Sequence, residues 1–292
     1  MFCRMSALAG AAAVAGVALV GLATGTAGAD PICPDVHWIG AAGSGERTGA
    51  DLTAYDGMGR VVNESLYDLS SQLQRDGRTM TAEAVDYPAV PAPDDNGGVG
   101  AWLGFMGSVD AGAKALGDQY ASFVAQCPTS KVVLAGYSQG AMVVHRNLQA
   151  LAASPNLAAV LLVADGDRRP DDPTFNLGTA SGIPERGKGV AQDWPILAHA
   201  PAPLAPEIAV RTISVCDLND AVCDYNEDAD DSKAAYARRV AVHTSYGVGK
   251  TQGLDWTATL YFLLGPAHTP SAYQAPGLMM ASTAPAADIP TR

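Results

Sequence analysis

Gly136-Tyr137-Ser138-Gln139-Gly140 separates an apolar run that ends at Ala135 from a helical pattern that begins at Ala141. The two glycines suit a tight turn that leaves no room for a Cβ on either side of the serine. Such a turn presents the Ser138 hydroxyl above the end of a sheet and at the N-terminus of a helix. There, free backbone N–H groups and the helix dipole favour a developing negative charge. These five residues therefore predict a serine nucleophile.

The G-x-S-x-G motif between a strand and a helix is typical of the nucleophile elbow of α/β-hydrolases. Because the chain contains 31 glycines, the motif alone also fits an ordinary turn with an exposed serine. The distinction depends on partner residues elsewhere in the chain. In α/β-hydrolases the acid and then the base follow the serine, each on a loop beyond the carboxyl end of a strand.

The chain of 292 residues is 48% hydrophobic and 16% charged, which suits one large α/β domain or two small ones. Its formal net charge of −12 at pH 7 argues against nucleic-acid binding and against adsorption to anionic lipid head groups. The simplest consequence of this charge is solubility. We therefore expect no nucleic-acid partner.

Residues 1–29 have the pattern of a secretory signal peptide. Arg4 gives a basic start, an apolar run extends from Ala7 to Ala23, and an A-x-A cleavage signal at 27–29 precedes Asp30. An uncleaved membrane anchor is the alternative, because the run approaches the length of a membrane span. After cleavage we expect no stable membrane span and a location outside the cell or in the cell envelope.

Cysteine usage agrees with export, because an even number remains once Cys3 leaves with the signal peptide. Four cysteines allow three pairings. The seven-residue separation of Cys216 and Cys223 favours a local bridge, which leaves Cys33 with Cys127. A metal site is the alternative, but the chain has no C-x-x-C spacing, and we expect no metal.

Strands and helices alternate along the chain in the pattern of its hydrophobic residues. The pattern predicts strands over 35–41, 79–87, 131–135, 157–164 and 209–215, and helices over 53–75, 109–123, 139–152 and 254–264. This alternation favours a three-layer α/β sandwich with a central, mostly parallel sheet.

One domain is predicted over residues 30–267. Within it, residues 165–207 are rich in Pro and Gly and interrupt the alternation. A loop of that length is usually functional or an inserted subregion, so 165–207 is a candidate lid or wall over the site. A solvated surface decoration is the alternative. Residues 268–292 carry four prolines among Ala, Ser and Thr, and we expect them to form a loose tail.

The order of the triad in α/β-hydrolases places the acid and the base after Ser138 in the chain. Asp217 and Asp220 both follow the strand that ends at Val215. Five histidines are present: His37, His145, His199, His243 and His268. His37 precedes the elbow, and His145 lies about 10.5 Å along the elbow helix at 1.5 Å per residue, out of reach of Ser138. His199 precedes both acids, and chain order favours His243 over His268 as the base.

Four ordered motifs between Cys33 and Tyr246 resemble those of the cutinase family of serine esterases. The family elbow, G-[YF]-S-Q-G, is matched in full by 136–140. The family's bridged acid segment resembles 216–223, Cys-Asp-Leu-Asn-Asp-Ala-Val-Cys, and singles out Asp220 over Asp217. The base segment His-x-x-Tyr resembles 243–246, and the oxyanion segment resembles Gly-Ser-Gly-Glu at 43–46.

The resemblance implies roles by position. Ser138 is the nucleophile, His243 the base and Asp220 the acid that orients the base, with the backbone N–H groups of Ser44 and Gln139 as oxyanion donors. It also implies the bridges Cys33–Cys127 and Cys216–Cys223, and no metal or organic cofactor. We expect a secreted, monomeric serine esterase that hydrolyses carboxylic esters or lipids, with a preference for short to medium acyl chains.

Several positions depart from the family pattern. Ala42 stands where the family usually has Arg, and Asn219 replaces a usual Gly. Arg238 and Arg239 lie before the base where fungal members present apolar residues to lipid. These changes put cutin in doubt as the substrate and leave the triad intact. A cell-envelope lipid esterase or acyltransferase and a non-catalytic surface binding protein are the alternatives.

One apolar cluster bears on the substrate. Its members, placed on the loop before the helix at 109–123, are Trp102, Leu103, Phe105 and Met106. They are candidates to line an acyl site, and ordinary core packing at the start of a helix is the alternative.

Overall fold

Among the residues that the computed structural model describes, six parallel strands form the central sheet, in the order β2-β1-β3-β4-β6-β5. The strands are β1 (Val36–Ala41), β2 (Met80–Ala84), β3 (Lys131–Tyr137), β4 (Leu157–Val163), β5 (Phe175–Leu177) and β6 (Thr212–Val215). β3 and β4 lie in the middle of the sheet and are almost entirely buried, as their continuous apolar sequences require.

The structure describes residues 33–93, 98–183, 185–194, 197, 202–230, 232–247 and 255–266, all within one compact unit that begins at Cys33. The predicted signal peptide at 1–29, the predicted tail at 268–292, His199 and His268 lie outside the described residues. No helix in the described ranges is long and apolar enough to cross a membrane.

Helices cover both faces of the sheet. They are α1 (Asp51–Ala54), α2 (Arg60–Arg75), α3 (Gly98–Gln126), α4 (Gln139–Leu151), α5 (Pro206–Ala209), α6 (Lys233–His243) and α7 (Trp256–Leu264). Val132 and Leu134 of β3 pack on the side of α3 and α4, whereas Val133 and Ala135 pack on the side of α2 and α7. Because successive strand residues point to opposite faces, one strand supplies both cores. The predicted three-layer α/β sandwich is confirmed.

The predicted helix over 53–75 is wrong in its first part. The chain forms the short α1, turns, and begins α2 at Arg60. Asp56, Gly57 and Gly59 have positive φ angles of 52°, 71° and 76°, which a continuous helix does not allow. The Glu46 carboxylate then accepts a hydrogen bond from the Arg60 N–H at 3.1 Å and so caps α2 from a distant segment.

Other element boundaries also differ from the prediction. α3 begins at Gly98, so the apolar cluster 102–106 lies within a helix and not on a loop. The strand predicted over 209–215 begins at Thr212, because Pro206–Ala209 forms the single turn of α5. β5, α6 and a 3-10 turn at Val190–Gln192 were not predicted at all. β5 and that turn give the described part of 165–207 regular structure of its own.

Two disulfides join distant and neighbouring parts of the chain. Cys33 is bonded to Cys127 with a Cα–Cα distance of 5.4 Å, and Cys216 to Cys223 with a Cα–Cα distance of 5.9 Å. The first bridge ties the start of the described chain to the segment after α3. The second closes the loop that follows β6.

Candidate active site

Ser138 occupies the turn between β3 and α4 with φ 54° and ψ −118°. A positive φ is uncommon for a residue with a side chain and persists only where the surroundings enforce it. Here the Ser138 N–H donates to the carbonyl of Val163 at 2.9 Å, and the Ser138 carbonyl accepts from the N–H of Ala141 at 2.9 Å. The sheet and the helix therefore fix the turn from both sides.

The two glycines of the elbow are required by close backbone contacts. A Cβ on Gly136 would lie 2.2 Å from the carbonyl oxygen of Gly140, and a Cβ on Gly140 would lie 2.1 Å from that of Ala41. Neither obstacle is a side chain that could rotate away. The sequence-based expectation of a turn with no room for a Cβ on either side of the serine agrees with these contacts.

Ser138, His243 and Asp220 form a continuous hydrogen-bonded chain. The Nε2 atom of His243, the last residue of α6, lies 2.9 Å from Ser138 Oγ. Its Nδ1 atom lies 3.0 Å from both carboxylate oxygens of Asp220. One tautomer satisfies this geometry, in which Nδ1 carries the proton and Nε2 accepts from the serine hydroxyl.

Asp220 is completely buried in the loop closed by the second disulfide. Its Oδ1 atom accepts hydrogen bonds from the N–H groups of Val222 at 2.6 Å and Cys223 at 3.0 Å. These bonds satisfy a carboxylate that has no access to water, as a buried charge requires. Asp217, the other candidate acid, instead accepts from the N–H of Thr179 at 2.8 Å.

The base segment is held by three contacts that the sequence did not reveal. The hydroxyl of Tyr137, inside the elbow motif, donates to the carbonyl of His243 at 2.7 Å. The Arg60 guanidinium donates to the carbonyl of Tyr246 at 2.7 Å, and the Tyr246 hydroxyl accepts from the Asp217 N–H at 2.8 Å. Burial and the nearby Asp220 charge raise the pKa of both tyrosines, so both stay protonated at neutral pH.

The segment predicted to supply an oxyanion donor follows β1. The Glu46 carboxylate accepts from the Gly43 N–H at 2.7 Å and also caps α2, and so fixes the turn that contains Ser44. Burial raises the pKa of Glu46, and the two backbone donors partly oppose that shift. Within the described residues, the N–H groups of Ser44 and Gln139 have no protein acceptor.

The side chain of Gln139 points toward α3. Its Nε2 atom donates to the carbonyl of Val90 at 3.3 Å, and the Ser108 hydroxyl donates to its Oε1 atom at 3.4 Å. Because α3 and the Val90 loop hold this side chain, the first residue of α4 has little freedom to turn. α3 at Ser108 thus lies beside the first residue of α4.

A second buried polar cluster lies beside α4. The Nδ1 atom of His145 lies 2.6 Å from Asp165. Burial lowers the pKa of the histidine, but the charge and hydrogen bond of Asp165, together with the charges of Asp167 and Asp172, outweigh burial and raise this pKa. Burial raises the pKa of Asp167 to about 6, although the Arg146 guanidinium opposes the shift. In the described part of the chain, none of these groups bonds to the Ser138–His243–Asp220 chain. His145 is therefore a buried, paired histidine.

The described residues contain no group of three or more His, Cys, Asp or Glu side chains arranged to hold a metal ion.

Comparison with known protein families matches most of the chain to one family model. The family model described as Cutinase matches residues 32–259. A cutinase of Coprinopsis cinerea is 28% identical over 141 residues, which are 48% of this chain and 60% of the relative. A carboxylesterase of Mycobacterium bovis is 31% identical over 139 residues, 47% of this chain and 54% of the relative. The chain thus matches little more than half the length of these relatives.

Solved structures give the same fold. A cutinase-like protein from Cryptococcus sp. aligns with a TM-score of 0.54 and 21% identity, over 82% of this chain and 99% of that chain. At this level of identity the likeness concerns the fold, and the chemistry depends on the residues themselves.

Proposed function

The chain belongs to the cutinase family, and on that premise we propose that it is a secreted serine esterase that hydrolyses carboxylic esters through an acyl-enzyme. Ser138 is the nucleophile, His243 the general base and Asp220 the acid that orients the base. The observation that carries this proposal is the unbroken hydrogen-bonded chain from Ser138 Oγ through both nitrogens of His243 to Asp220.

In the first step, His243 takes the Ser138 proton at Nε2 as Oγ attacks the ester carbonyl carbon. Asp220 holds the proton on Nδ1 and stabilises the imidazolium that forms. The tetrahedral oxyanion lies between the N–H groups of Ser44 and Gln139. The imidazolium then gives its proton to the leaving alcohol, and an acyl-enzyme remains. In the second step, His243 deprotonates a water molecule that attacks the acyl carbon, and Ser138 is released with its proton restored.

The first turns of α3 support an acyl site for short to medium chains. Ser108 of this helix contacts the side chain of Gln139, the residue proposed to donate to the oxyanion, and the apolar cluster 102–106 lies on the same helix within two turns before Ser108. Among them, Leu103 is exposed, Trp102 is half-buried and Phe105 is buried. A patch of this size accommodates a few methylene groups, each of which contributes about 0.8 kcal/mol when buried.

Export is the proposed route to the site of action. The signal-peptide pattern at 1–29 and the two disulfides fit an oxidising compartment outside the cell or in its envelope. We propose that the secreted form is a monomer that acts on esters or lipids, and requires no metal or organic cofactor.

The test compares the purified, disulfide-bonded protein with Ser138→Ala on p-nitrophenyl esters of increasing acyl length. We expect hydrolysis by the first protein and a fall in kcat of at least about 1,000-fold in the second, because loss of a triad nucleophile leaves only binding and oxyanion stabilisation. An optimum at short to medium chains is expected. Equal rates in the two folded proteins would refute the assigned nucleophile, and an optimum at long acyl chains would refute the proposed acyl preference.

A further inference from the structure

The loop that carries Asp220 is clasped by a segment from outside the triad. We define the strap as residues 186–194, part of the 165–207 region. Its backbone is bonded to the acid loop at two points: the Val190 N–H donates to the Val222 carbonyl, and the Tyr225 N–H donates to the Lys188 carbonyl, each at 2.8 Å. The strap therefore lies alongside the acid loop over several residues.

Asp224 is the centre of this contact. It is buried, and it directly follows Cys223. Its Oδ1 atom accepts from the Gly187 N–H at 2.6 Å and from Arg186 Nε at 3.0 Å. Its Oδ2 atom accepts from the Asn219 N–H at 2.6 Å and from Arg186 Nη2. One carboxylate thus receives four donors, two from the Arg186 fork and two from the backbone.

Asn219 is the residue immediately before the proposed catalytic acid. It adopts a positive φ of 63°, a left-handed conformation that Asn tolerates better than most residues with a side chain and that surrounding contacts further support. Asp224 supplies that support at the Asn219 N–H, and Arg186 adds a hydrogen bond to the Asn219 side chain at 3.3 Å. The family resemblance places a Gly at 219, which adopts this conformation without such support.

The strap is itself anchored to the sheet. The guanidinium of Arg168, a buried residue, donates to the Gly187 carbonyl and, at 3.0 Å, to Ser214 Oγ on β6. The Gly189 N–H donates to the Arg168 carbonyl at 2.9 Å. A Cβ at Gly187 would lie 2.1 Å from Arg168 Nη1, so the strap backbone and the guanidinium are in direct contact at this position. These bonds connect Asn219, through Asp224 and the strap, to β6, the strand from which the acid loop departs.

We propose that Asp224 and Arg186 are positioning residues that hold Asp220 in line with His243. The inference deepens the proposed function, because it gives the 186–194 part of the 165–207 region a role in the geometry of the triad. A displacement of about 1 Å in a catalytic group lowers rates by up to roughly 100-fold, so an error in this turn has a measurable consequence.

The test uses three variants of the full secreted protein. Asp224→Asn keeps the shape but removes the charge, and Arg186→Gln removes the fork while the two backbone donors remain. Lys188→Gln is the matched control. It breaks the Lys188–Asp193 pair (2.8 Å) within the strap, and it removes no side-chain contact to the acid loop. Three quantities are measured for each variant: kcat and KM on a p-nitrophenyl ester, the melting temperature, and the far-downfield proton resonance of the imidazole Nδ1–H bonded to a carboxylate.

We expect Asp224→Asn to lower kcat by about 10- to 100-fold while KM changes by less than about twofold, because substrate contacts are untouched. The downfield resonance should shift or broaden in the folded variant, which a purely structural role would not cause. Arg186→Gln should change both quantities in the same direction by less, and Lys188→Gln should change neither.

A folded Asp224→Asn variant with the kcat and resonance of the unmodified protein would overturn the proposal. If Asp224→Asn does not fold, Arg186→Gln decides in the same way. If the unmodified protein hydrolyses no ester, the proposed function fails, but the resonance of the His243–Asp220 pair still tests the strap.

Discussion

Ser138 is held in a backbone conformation that costs a residue with a side chain about 1 to 3 kcal/mol of free energy. The surrounding contacts are backbone contacts: the Val163 carbonyl on one side, and Gly136 against Gly140 on the other. Because these atoms belong to β4 and to the ends of β3 and α4, the strain cannot relax without breaking the sheet. The Oγ atom is therefore held 2.9 Å from His243 Nε2, and in the proposed mechanism this fixed geometry avoids a reorganisation step.

The position of His243 also depends on contacts with neighbouring residues. It is the last residue of α6, where a helix would otherwise fray, and its carbonyl is fixed by the Tyr137 hydroxyl. The Tyr137 ring also lies against the imidazole with a centroid distance of 5.4 Å. The Tyr137 side chain thus contacts both the backbone and the imidazole ring of the proposed base.

Tyr137→Phe separates these two contributions, because it removes the hydroxyl and keeps the ring. We expect kcat to fall between about 2- and 10-fold, the consequence of losing one hydrogen bond worth about 0.5 to 1.5 kcal/mol. KM should change little, since Tyr137 is buried and does not line the proposed acyl site. Steady-state kinetics on a short-chain p-nitrophenyl ester measure both constants.

Tyr67→Phe is the matched control for this prediction. Tyr67 is exposed, and its hydroxyl donates to Asp56 at 3.1 Å, away from the base. It should leave kcat unchanged. If Tyr137→Phe also had unchanged kcat, the Tyr137–His243 bond would have no part in holding the base.

At the scale of elements, Glu46 connects the oxyanion segment to the start of α2. Its carboxylate accepts from Gly43 and from Arg60, and it fills the space beside Gly59. The same Arg60 reaches the carbonyl of Tyr246, three residues after the base. The interruption between α1 and α2 is therefore the joint at which the oxyanion segment, α2 and the base segment meet.

Gly59→Ala tests this joint. Its Cβ would lie 2.0 Å from a Glu46 carboxylate oxygen, and its φ of 76° is unfavourable for alanine. We expect a loss of about 2 to 4 kcal/mol in the free energy of unfolding, more than the roughly 1 to 2 kcal/mol of the φ angle alone. We also expect kcat to fall by about 10-fold or more, because the displaced carboxylate carries the Ser44 turn with it. Urea unfolding and ester hydrolysis measure the two effects.

Gly77→Ala provides the comparison, because Gly77 has nearly the same φ, 74°, and no atom within 4 Å of the added Cβ. It should cost only the strain of the φ angle and leave kcat intact. Equal losses of stability and unchanged kcat in both variants would show that the Glu46 contact has no role in activity.

The elements that the sequence predicted well carry their signals locally. β3, the elbow and α4 follow one another with apolar residues and glycines in a pattern that few other structures accommodate. β5 has only three residues at the sheet edge, too few for a pattern. α6 buries Ala235 alone among its described residues, so it has almost no apolar face, although Ser232 before it is an N-cap signal. The sequence predicted the start of α3 too late, because the glycines in its first turns weaken the helical pattern.

The site shows the same division between local and distant signals. Ser138, Asp220 and His243 are named by short motifs and by chain order, and the structure brings these three together. Arg60 could not be found in this way, because its contact with Tyr246 joins residues separated by 186 positions. Asp224 likewise is bonded to Arg186, which belongs to a segment without any recognisable motif. Positions that support a site through tertiary contacts leave no pattern in a single sequence.

At the scale of the whole molecule, the site gathers at one edge of the sheet. Ser44 follows β1, Ser138 follows β3, and Asp220 follows β6. Because all the pairings described are parallel, the carboxyl ends of these strands face the same side. The two disulfides stand in different relations to this edge: one closes the loop of Asp220, and the other ties Cys33, before β1, to the segment before β3.

The two bridges should therefore separate stability from activity. In the chain-entropy model, a bridge across 94 residues contributes about 4.7 kcal/mol and one across 7 residues about 2.4 kcal/mol. Replacing Cys33 and Cys127 together by Ser should cost more of the free energy of unfolding and leave the kcat of the folded protein nearly unchanged. Replacing Cys216 and Cys223 together should cost less stability and lower kcat more, because the Cys223 N–H is bonded to Asp220 at 3.0 Å.

Each double variant is the control for the other, with the free energy of unfolding measured in urea and kcat measured below the unfolding transition. If removal of Cys216–Cys223 left kcat unchanged, the backbone bonds of Val222 and the Asp224 contact would suffice to hold Asp220 without the bridge. If removal of Cys33–Cys127 lowered kcat in the folded protein, the first bridge would act on the elbow through Lys131, where β3 begins. Only the expected pair of results assigns stability mainly to the long loop and catalytic geometry mainly to the short one.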